Sequence, residues 1–300
     1  MAVTAASGIR AVASRAHRQE FVAKLLLRSA SIFVVVAMGA LLLYLATEGT
    51  KLFTVDHVSP FQFLFSPVFD PDGRKPGSLV FIIGSLSITL FAIVIGGPFG
   101  IAVGVFLAEL APRRFVNMMK PAIEVLVGIP SVVYGWIGLT LLVPLIRTLT
   151  GSNGFGLMAA AIVLSVMILP TVITLSEDAL KAVPDALREG SLAMGATRWQ
   201  TIWRVLIPAA GSGLGVAVIL GIARAIGETL AVQLVIGNAS VLPTGLLSAT
   251  AALPTEIVID MAGAQQGSLL EHALFSMAFL LLLIAMLLIL AVRFVMRRRT

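Results

Sequence analysis

FLLLLIAMLLILAV, residues 279–292, is an unbroken apolar run, and the segment that follows, RFVMRRRT (293–300), carries four arginines. About 20 consecutive apolar residues carry a helix across a hydrocarbon core. Extended from Ala273 to Val295, this run has that length, and the basic cluster past it reads as a stop-transfer flank. The same charges also fit a lipid-headgroup anchor or a nucleic-acid patch.

Five more stretches resemble this one. SIFVVVAMGALLLYLA (31–46) lies in a first span from about Lys24 to Ala46, with Arg28 close enough to the surface to snorkel. A wet segment, 47–77, contains the turn signals SPVFDPDGRKPG (66–77). The second apolar stretch, Ser78 to Leu110, exceeds one crossing and contains GGPFG at 96–100. Proline removes a backbone donor and glycine weakens the turn, so a kink or break is predicted there. A third span is predicted over about 125–146 and a fourth over 156–176, with Pro130 and Pro170 in or near them. The fifth falls between Pro208 and Gly237.

Composition agrees. Residues are 58% hydrophobic and only 12% charged, against about 25% charged in soluble domains. Cysteine is absent, and the three histidines, His17, His57 and His272, have no metal-ligand spacing. A disulfide framework and a thiolate metal site or nucleophile are therefore excluded, and no metal or cofactor is expected. The net charge of +6 does not imply nucleic acid, because the basic residues sit where spans end. Arg10, Arg15 and Arg18 precede an apolar run too long for a signal-peptide core, so that run is read as a retained span. Sixteen lysines and arginines fall in the two tails and the loops 111–124 and 177–207, and four fall in the opposite loops. That asymmetry places both termini in the cytoplasm.

The loop EDALKAVPDALREGSLAMGATRWQTIWRVLIP (177–208) carries the most information. Pro184 suits a helix start, with Asp185 adding negative charge to the first turn. Leu187, Met194 and Ser191 are predicted on one side of a short helix that ends near Gly195. Thr197 and Gln200 have the spacing of a capping box for a second helix. Exposed Leu192, Met194, Trp199 and Trp203 suit either a segment resting on the membrane surface or one docked into another protein.

Inside the fifth span, GIARAIGETLAVQLVIGN (221–238) places Arg224 and Glu228 four residues apart on one helical face. Each charge costs about 2.5–3.5 kcal/mol at mid-bilayer. They are predicted to face the bundle interior, either as a static ion pair that clamps two helices or fixes a break near Gly221 and Gly227, or on a translocation path, where an arginine fork suits an oxyanion. Ser131 and Tyr134, beside the Pro130 bend, are further path candidates or local packing groups. Glu124 is a helix-start charge or a contact to the loop, and Ser165, Thr171, Thr174 and Ser176 are weaker candidates. Phe61, Phe63 and Phe65, near Asp70 and Asp72, fit interface anchors or a docking face.

The loop resembles the coupling motif of importer permeases of the ATP-binding-cassette superfamily: Glu189, the small residues Gly190 and Ser191, three others, Gly195, nine residues, then Val205-x-Ile207-Pro208. The resemblance implies an all-α integral membrane protein with six transmembrane helices and a type I importer permease fold. On that fold, 1–77 form a cytoplasmic tail, first helix and outer loop, and 78–297 a permease domain with coupling loop 177–207. It further implies that Asp185, Arg188, Glu189, Gly190, Ser191, Met194, Gly195, Ala196 and Thr197 meet an ATPase. No Gly-Lys-Ser or Gly-Lys-Thr occurs, so ATP hydrolysis belongs to a partner and the chain is a transport subunit, not an enzyme.

The segments Arg224-Ala-Ile-Gly-Glu-Thr229, Gly128-Ile-Pro-Ser-Val-Val-Tyr-Gly135 and FLAELAP (106–112) are similar to phosphate-importer permeases. Of the two permease subunits in such systems, the resemblance is to the one with Ala231-Val232 and Gly237-Asn238 after the Gly-Glu-Thr, rather than the one with Ala-Pro there. The implied partners are a paired phosphate permease subunit, an ATP-binding subunit dimer, a periplasmic phosphate-binding protein and the phosphate anion, with no nucleic acid, at a bacterial inner membrane. The short Arg-x-x-Gly-Glu core also occurs in molybdate and sulfate permeases.

Overall fold

The computed structural model describes the backbone of residues 2–297 and the side chains of residue 20 and residues 23–294. The side chains of Arg10, Arg15, Arg18 and of Arg297, Arg298 and Arg299 in the expected stop-transfer flank lie outside the described residues. The chain divides into two compact units, Met1–Glu48 and Gly49–Thr300. The first is helical, formed by most of α1 (Ala2–Thr54), and its apolar side chains from Leu25 to Leu43 are largely exposed.

The second unit opens with the end of α1, then α2 (Pro60–Phe65) and a two-stranded antiparallel ribbon, β1 (Phe69–Asp70) and β2 (Lys75–Pro76). The Asp70 carboxylate accepts the Gly73 amide at 3.0 Å, closing the turn that the Asp-Pro-Asp-Gly sequence signals. Phe63 is buried with Leu52, Phe81, Leu253, Leu274 and Met277, whereas Phe61 and Phe65 are exposed and pack ring on ring.

α3 (Leu79–Val105) continues as a π-helical turn, Phe106–Leu110, to make the second span, Leu79–Leu110. Of the kink or break expected at GGPFG, a break is absent: the helix runs through Pro98. Tertiary packing explains why. Gly96, Gly100 and Gly104, four residues apart, face α7 (Leu157–Lys181) so closely that a Cβ on them would come within 2.9 Å of Ser165 O, 2.7 Å of Val172 Cβ and 2.7 Å of Ser176 Cβ. Small-residue stripes of this kind let membrane helices approach backbone to backbone.

α4 (Arg113–Gly128) is amphipathic and buries no residue completely. After it come α5 (Ser131–Ile137), a π-helical turn over Gly138–Leu142, and α6 (Val143–Thr150). The third span is therefore Ser131–Thr150 rather than 125–146. Pro130 drives the preceding Ile129 out of the helical region, to φ −68° and ψ 127°, and ends α4. The fourth span is α7, and Pro170 lies inside it without ending it.

Beyond α7 stand α8 (Asp185–Ala193), α9 (Arg198–Thr201), a π-helical turn over Ile202–Leu206 and α10 (Ile207–Ala209). The segment Arg198–Ala209 meets α11 (Gly211–Ile226) at 69°. The fifth crossing was expected between Pro208 and Gly237. Within that range α11 stops at Ile226, at roughly 1.5 Å per residue too short for a core of about 30 Å. A short helix, α12 (Leu230–Gln233), follows the break. α13 (Leu253–Met261) and the last span, on α14 (Leu269–Arg297), complete the fold. Among the described residues five helices are thus long and apolar enough to cross a membrane, or six if the bent pair counts as one broken span.

Candidate functional site

Two broken helices meet in the second unit. At the first break, the Tyr134 hydroxyl donates to the Leu126 carbonyl at 2.8 Å, reaching back across Ile129 and Pro130 to an acceptor at the end of α4. Non-helical backbone at membrane depth persists only where protein or water satisfies it, and Tyr134 supplies part of that. Ser131 is half-buried at the first position of α5.

At the second break, Gly227 ends α11 and Glu228 lies beyond the helix. The Glu228 carboxylate accepts the Ala231 amide at 3.2 Å and so holds the start of α12. The expectation that Arg224 and Glu228 share one helical face is therefore corrected: the glycine ends the helix between them. Among the described residues no ion pair joins the two.

α12 packs on α5 because Gly135 has no side chain; a Cβ there would lie 2.8 Å from Ala231 Cα and 2.9 Å from its carbonyl oxygen. The breaks are thereby brought together. Arg224 is on the last turn of α11, and its buried Nε has no hydrogen-bond partner. Glu228 lines a small crevice with Ser85 and Thr89 of α3 and with Pro254. A guanidinium with an unused donor at converging helix breaks can receive an anionic oxygen.

The second cluster lies on the loop after α7. The capping box forms as expected: Thr197 Oγ1 accepts the Gln200 amide at 3.3 Å and Gln200 Oε1 accepts the Thr197 amide at 2.9 Å. Gly195 takes the left-handed turn, φ +86°, between α8 and α9. Leu187 and Met194 are exposed, Met194 at 87%, but Ser191 points the other way, buried and 2.9 Å from the Thr201 hydroxyl. Asp185, Glu189, Gly190 and Thr197 are exposed and Ala196 is half-buried. Arg188 turns back toward the membrane helices: its Nε and Nη2 donate to Glu109 Oε2 and Oε1 at 3.1 and 2.6 Å, and it also pairs with Asp185. The hydrogen bond to Glu109 is the main cause that raises the Arg188 pKa.

With both clusters in place, the comparison with known sequences is decisive. Residues 100–300 match the family described as "Binding-protein-dependent transport system inner membrane component". The chain belongs to this family. It is a permease subunit of an ABC-type importer, an all-α multi-pass protein of the bacterial inner membrane, and it is not an enzyme.

This permease is 45% identical to the probable ABC transporter permease protein YqgH of Bacillus subtilis (strain 168), over 97% of this chain and 96% of that protein. It is 32% identical to the phosphate transport system permease protein PstC of Mesorhizobium japonicum, over 90% and 88% of the two chains. A solved bacterial alginate ABC transporter, in complex with its alginate pentasaccharide-bound periplasmic protein, contains a chain similar at 15% identity with a TM-score of 0.64, covering 94% of this chain and 96% of that one. That last likeness bears on the fold alone.

The permease also contains pairs that sequence reading missed. Besides Glu109 with Arg188, the buried Glu177 pairs with Lys120 of α4 at 3.2 Å and with Lys181 one turn on. Hydrogen bonding to Glu177, then its charge, raises Lys120 above its ordinary value of 10.5. Glu124, by contrast, is exposed within α4. The available signal was an acid at the end of an apolar span beside a basic loop; counting only lysine and arginine passes over it.

Proposed function

We propose that this chain is the PstC-type permease subunit of an ATP-driven phosphate importer. Its residues 78–297 form the translocation path with a paired permease, and both termini are cytoplasmic. A periplasmic phosphate-binding protein delivers the anion, and an ATP-binding subunit dimer receives α8 and the Gly195 turn. The observation that carries the reading is Arg224: a guanidinium with an orphaned buried Nε at the end of α11, next to the break after which α12 packs on α5, the helix of Tyr134. The relatives named PstC and the segment 224–229 support phosphate as the oxyanion.

In this mechanism ATP binding closes the ATPase dimer and moves α8. Arg188 passes that motion to the foot of the second span through Glu109. The path then opens alternately to the two sides, and Ser131, Tyr134, Arg224 and Glu228 line it. No covalent step falls to this chain.

The test is ATP-dependent uptake of labelled phosphate by proteoliposomes containing this subunit, its paired permease, the ATPase and the binding protein. Uptake that needs ATP and resists excess molybdate and sulfate supports phosphate. Uptake of either competitor without phosphate reassigns the substrate and leaves the coupling argument standing.

A further inference from the structure

The loop after α7 exposes two different surfaces. On α8 and the Gly195 turn, Leu187, Leu192 and Met194 are bare, and that surface is accounted for by the ATPase. Segment 198–209 is different. One face, Thr201, Ile202 and Leu206, is buried, with Ile202 and Leu206 packed against Val105, Leu180 and Leu214. The other carries Trp199 and Trp203, one turn apart, 60% and 55% exposed, with rings edge to face at 5.7 Å. Exposed Arg198 and Arg204 adjoin them.

Geometry decides what covers that face. The segment is bent by 69° from α11, and Ala210 alone separates the two helices. Spans tilt on average about 20° from the bilayer normal. A helix turned so far from a span, and joined to it without a linker, runs close to the membrane plane at the level where the span emerges. Indole has an apolar body and one N–H donor, and it settles where hydrocarbon meets headgroup. Arginine forks bind phosphate oxygens, and the cytoplasmic leaflet is anionic. No aspartate or glutamate occurs between Arg198 and Ala209 to repel such a surface.

We propose that Trp199 and Trp203, with Arg198 and Arg204, seat segment 198–209 in the cytoplasmic headgroup layer and bind anionic phospholipid there. The lipid-bound segment sets the depth at which α8 meets the ATPase. The inference rests on the cytoplasmic placement of this loop and is independent of the transported anion.

The chain has no cysteine, so a single-cysteine variant carries one labelling site on this subunit and can be spin-labelled before assembly with its partners. Trp203→Cys would be placed in the assembled transporter, in nanodiscs of phosphatidylcholine with phosphatidylglycerol, with Leu287→Cys on α14 as a hydrocarbon reference. Trp199→Cys serves if Trp203→Cys does not assemble. The expected label depth, from the ratio of oxygen to nickel-chelate accessibility, lies at the headgroups. A label as open to the chelate as one in bulk water, or one shielded from both reagents as in a protein contact, overturns the proposal.

A second measurement tests the lipid class. Arg198→Gln with Arg204→Gln is expected to lower retention of phosphatidylglycerol, counted by native mass spectrometry, at least threefold relative to phosphatidylcholine. Unchanged retention overturns the anionic preference. Neither readout depends on uptake, so a wrong substrate assignment would leave both intact.

Discussion

Arg188 in the loop after the fourth span holds Glu109, 79 residues earlier at the foot of the second span, through two nitrogen–oxygen bonds. The carboxylate is 8% exposed and the guanidinium 28%, so the joint is shielded. A planar fork on a carboxylate fixes direction as well as distance, and lysine cannot reproduce it. Arg188→Lys is therefore expected to reduce ATP-dependent uptake several-fold with assembly intact. In thermal unfolding, Arg188→Met, Glu109→Gln and the double variant should show a coupling of about 0.5–3 kcal/mol. A cycle that closes to zero would mean that the joint carries nothing.

The glycine stripe on α3 makes a prediction with an internal control. At Gly100 an added Cβ would meet Val172 Cβ at 2.7 Å, whereas at Gly97 its nearest neighbour would be 4.0 Å away. Gly100→Ala is expected to overpack the interface and cost about 1–3 kcal/mol. Gly97→Ala gains helix propensity worth up to about 1 kcal/mol. Opposite shifts in melting temperature in one detergent are the expected result, and equal shifts would deny the close approach.

Arg224 separates transport from stability. Its Nε has no partner, and Glu228 is engaged with the Ala231 amide. Arg224→Met removes an incompletely satisfied charge, so the melting temperature should hold or rise. Uptake should fall at least tenfold if the guanidinium meets the anion. A static clamp predicts the reverse: a lower melting temperature with uptake preserved in whatever complex assembles.

The sequence was most legible where the deciding interaction is local. Apolar runs gave the spans, and the Thr197–Gln200 box and the Gly195 turn formed at the predicted residues because each depends on neighbours within three positions. Reading failed where distant contacts decide. Pro98 in GGPFG signals a kink or break, but the stripe of Gly96, Gly100 and Gly104 packs α3 onto α7, and the helix continues. The spacing of Arg224 and Glu228 puts them on one helical face, yet Gly227 ends the helix between them and α12 docks on Gly135, almost a hundred residues earlier. The pairing of Glu109 with Arg188 leaves no periodic trace at all. Arg224 and Glu228 stand out as candidates in the sequence because charge within a span is costly; their arrangement leaves no such trace.

Glu256 gives the pH prediction. It sits on α13, between the fifth and sixth spans, and is 5% exposed. Burial, then the charge of Asp260 one turn on, pushes its carboxyl from an ordinary 4.5 up to about 7, against a hydrogen bond from Ser240 that lowers it. Asp260 is raised as well, chiefly by burial. Of the elements packed on α13, α3 offers the hydroxyls of Ser85 and Thr89, α12 follows Glu228, and α14 begins with Glu271 and with His272, which pairs with Asp56. A carboxyl whose folded pKa lies above its unfolded one binds more protons when folded, so its contribution is full below about 4.5 and is lost as pH rises through about 7. The wild-type melting temperature should therefore fall between pH 5 and 8 relative to Glu256→Gln, whose uncharged side chain removes this titration. The difference between the two curves isolates Glu256 from the His272–Asp56 pair. Asp260→Asn should move the midpoint of that difference to lower pH, because a neighbouring negative charge is gone. Parallel curves for wild type and Glu256→Gln across this range would show that Glu256 is ionised throughout.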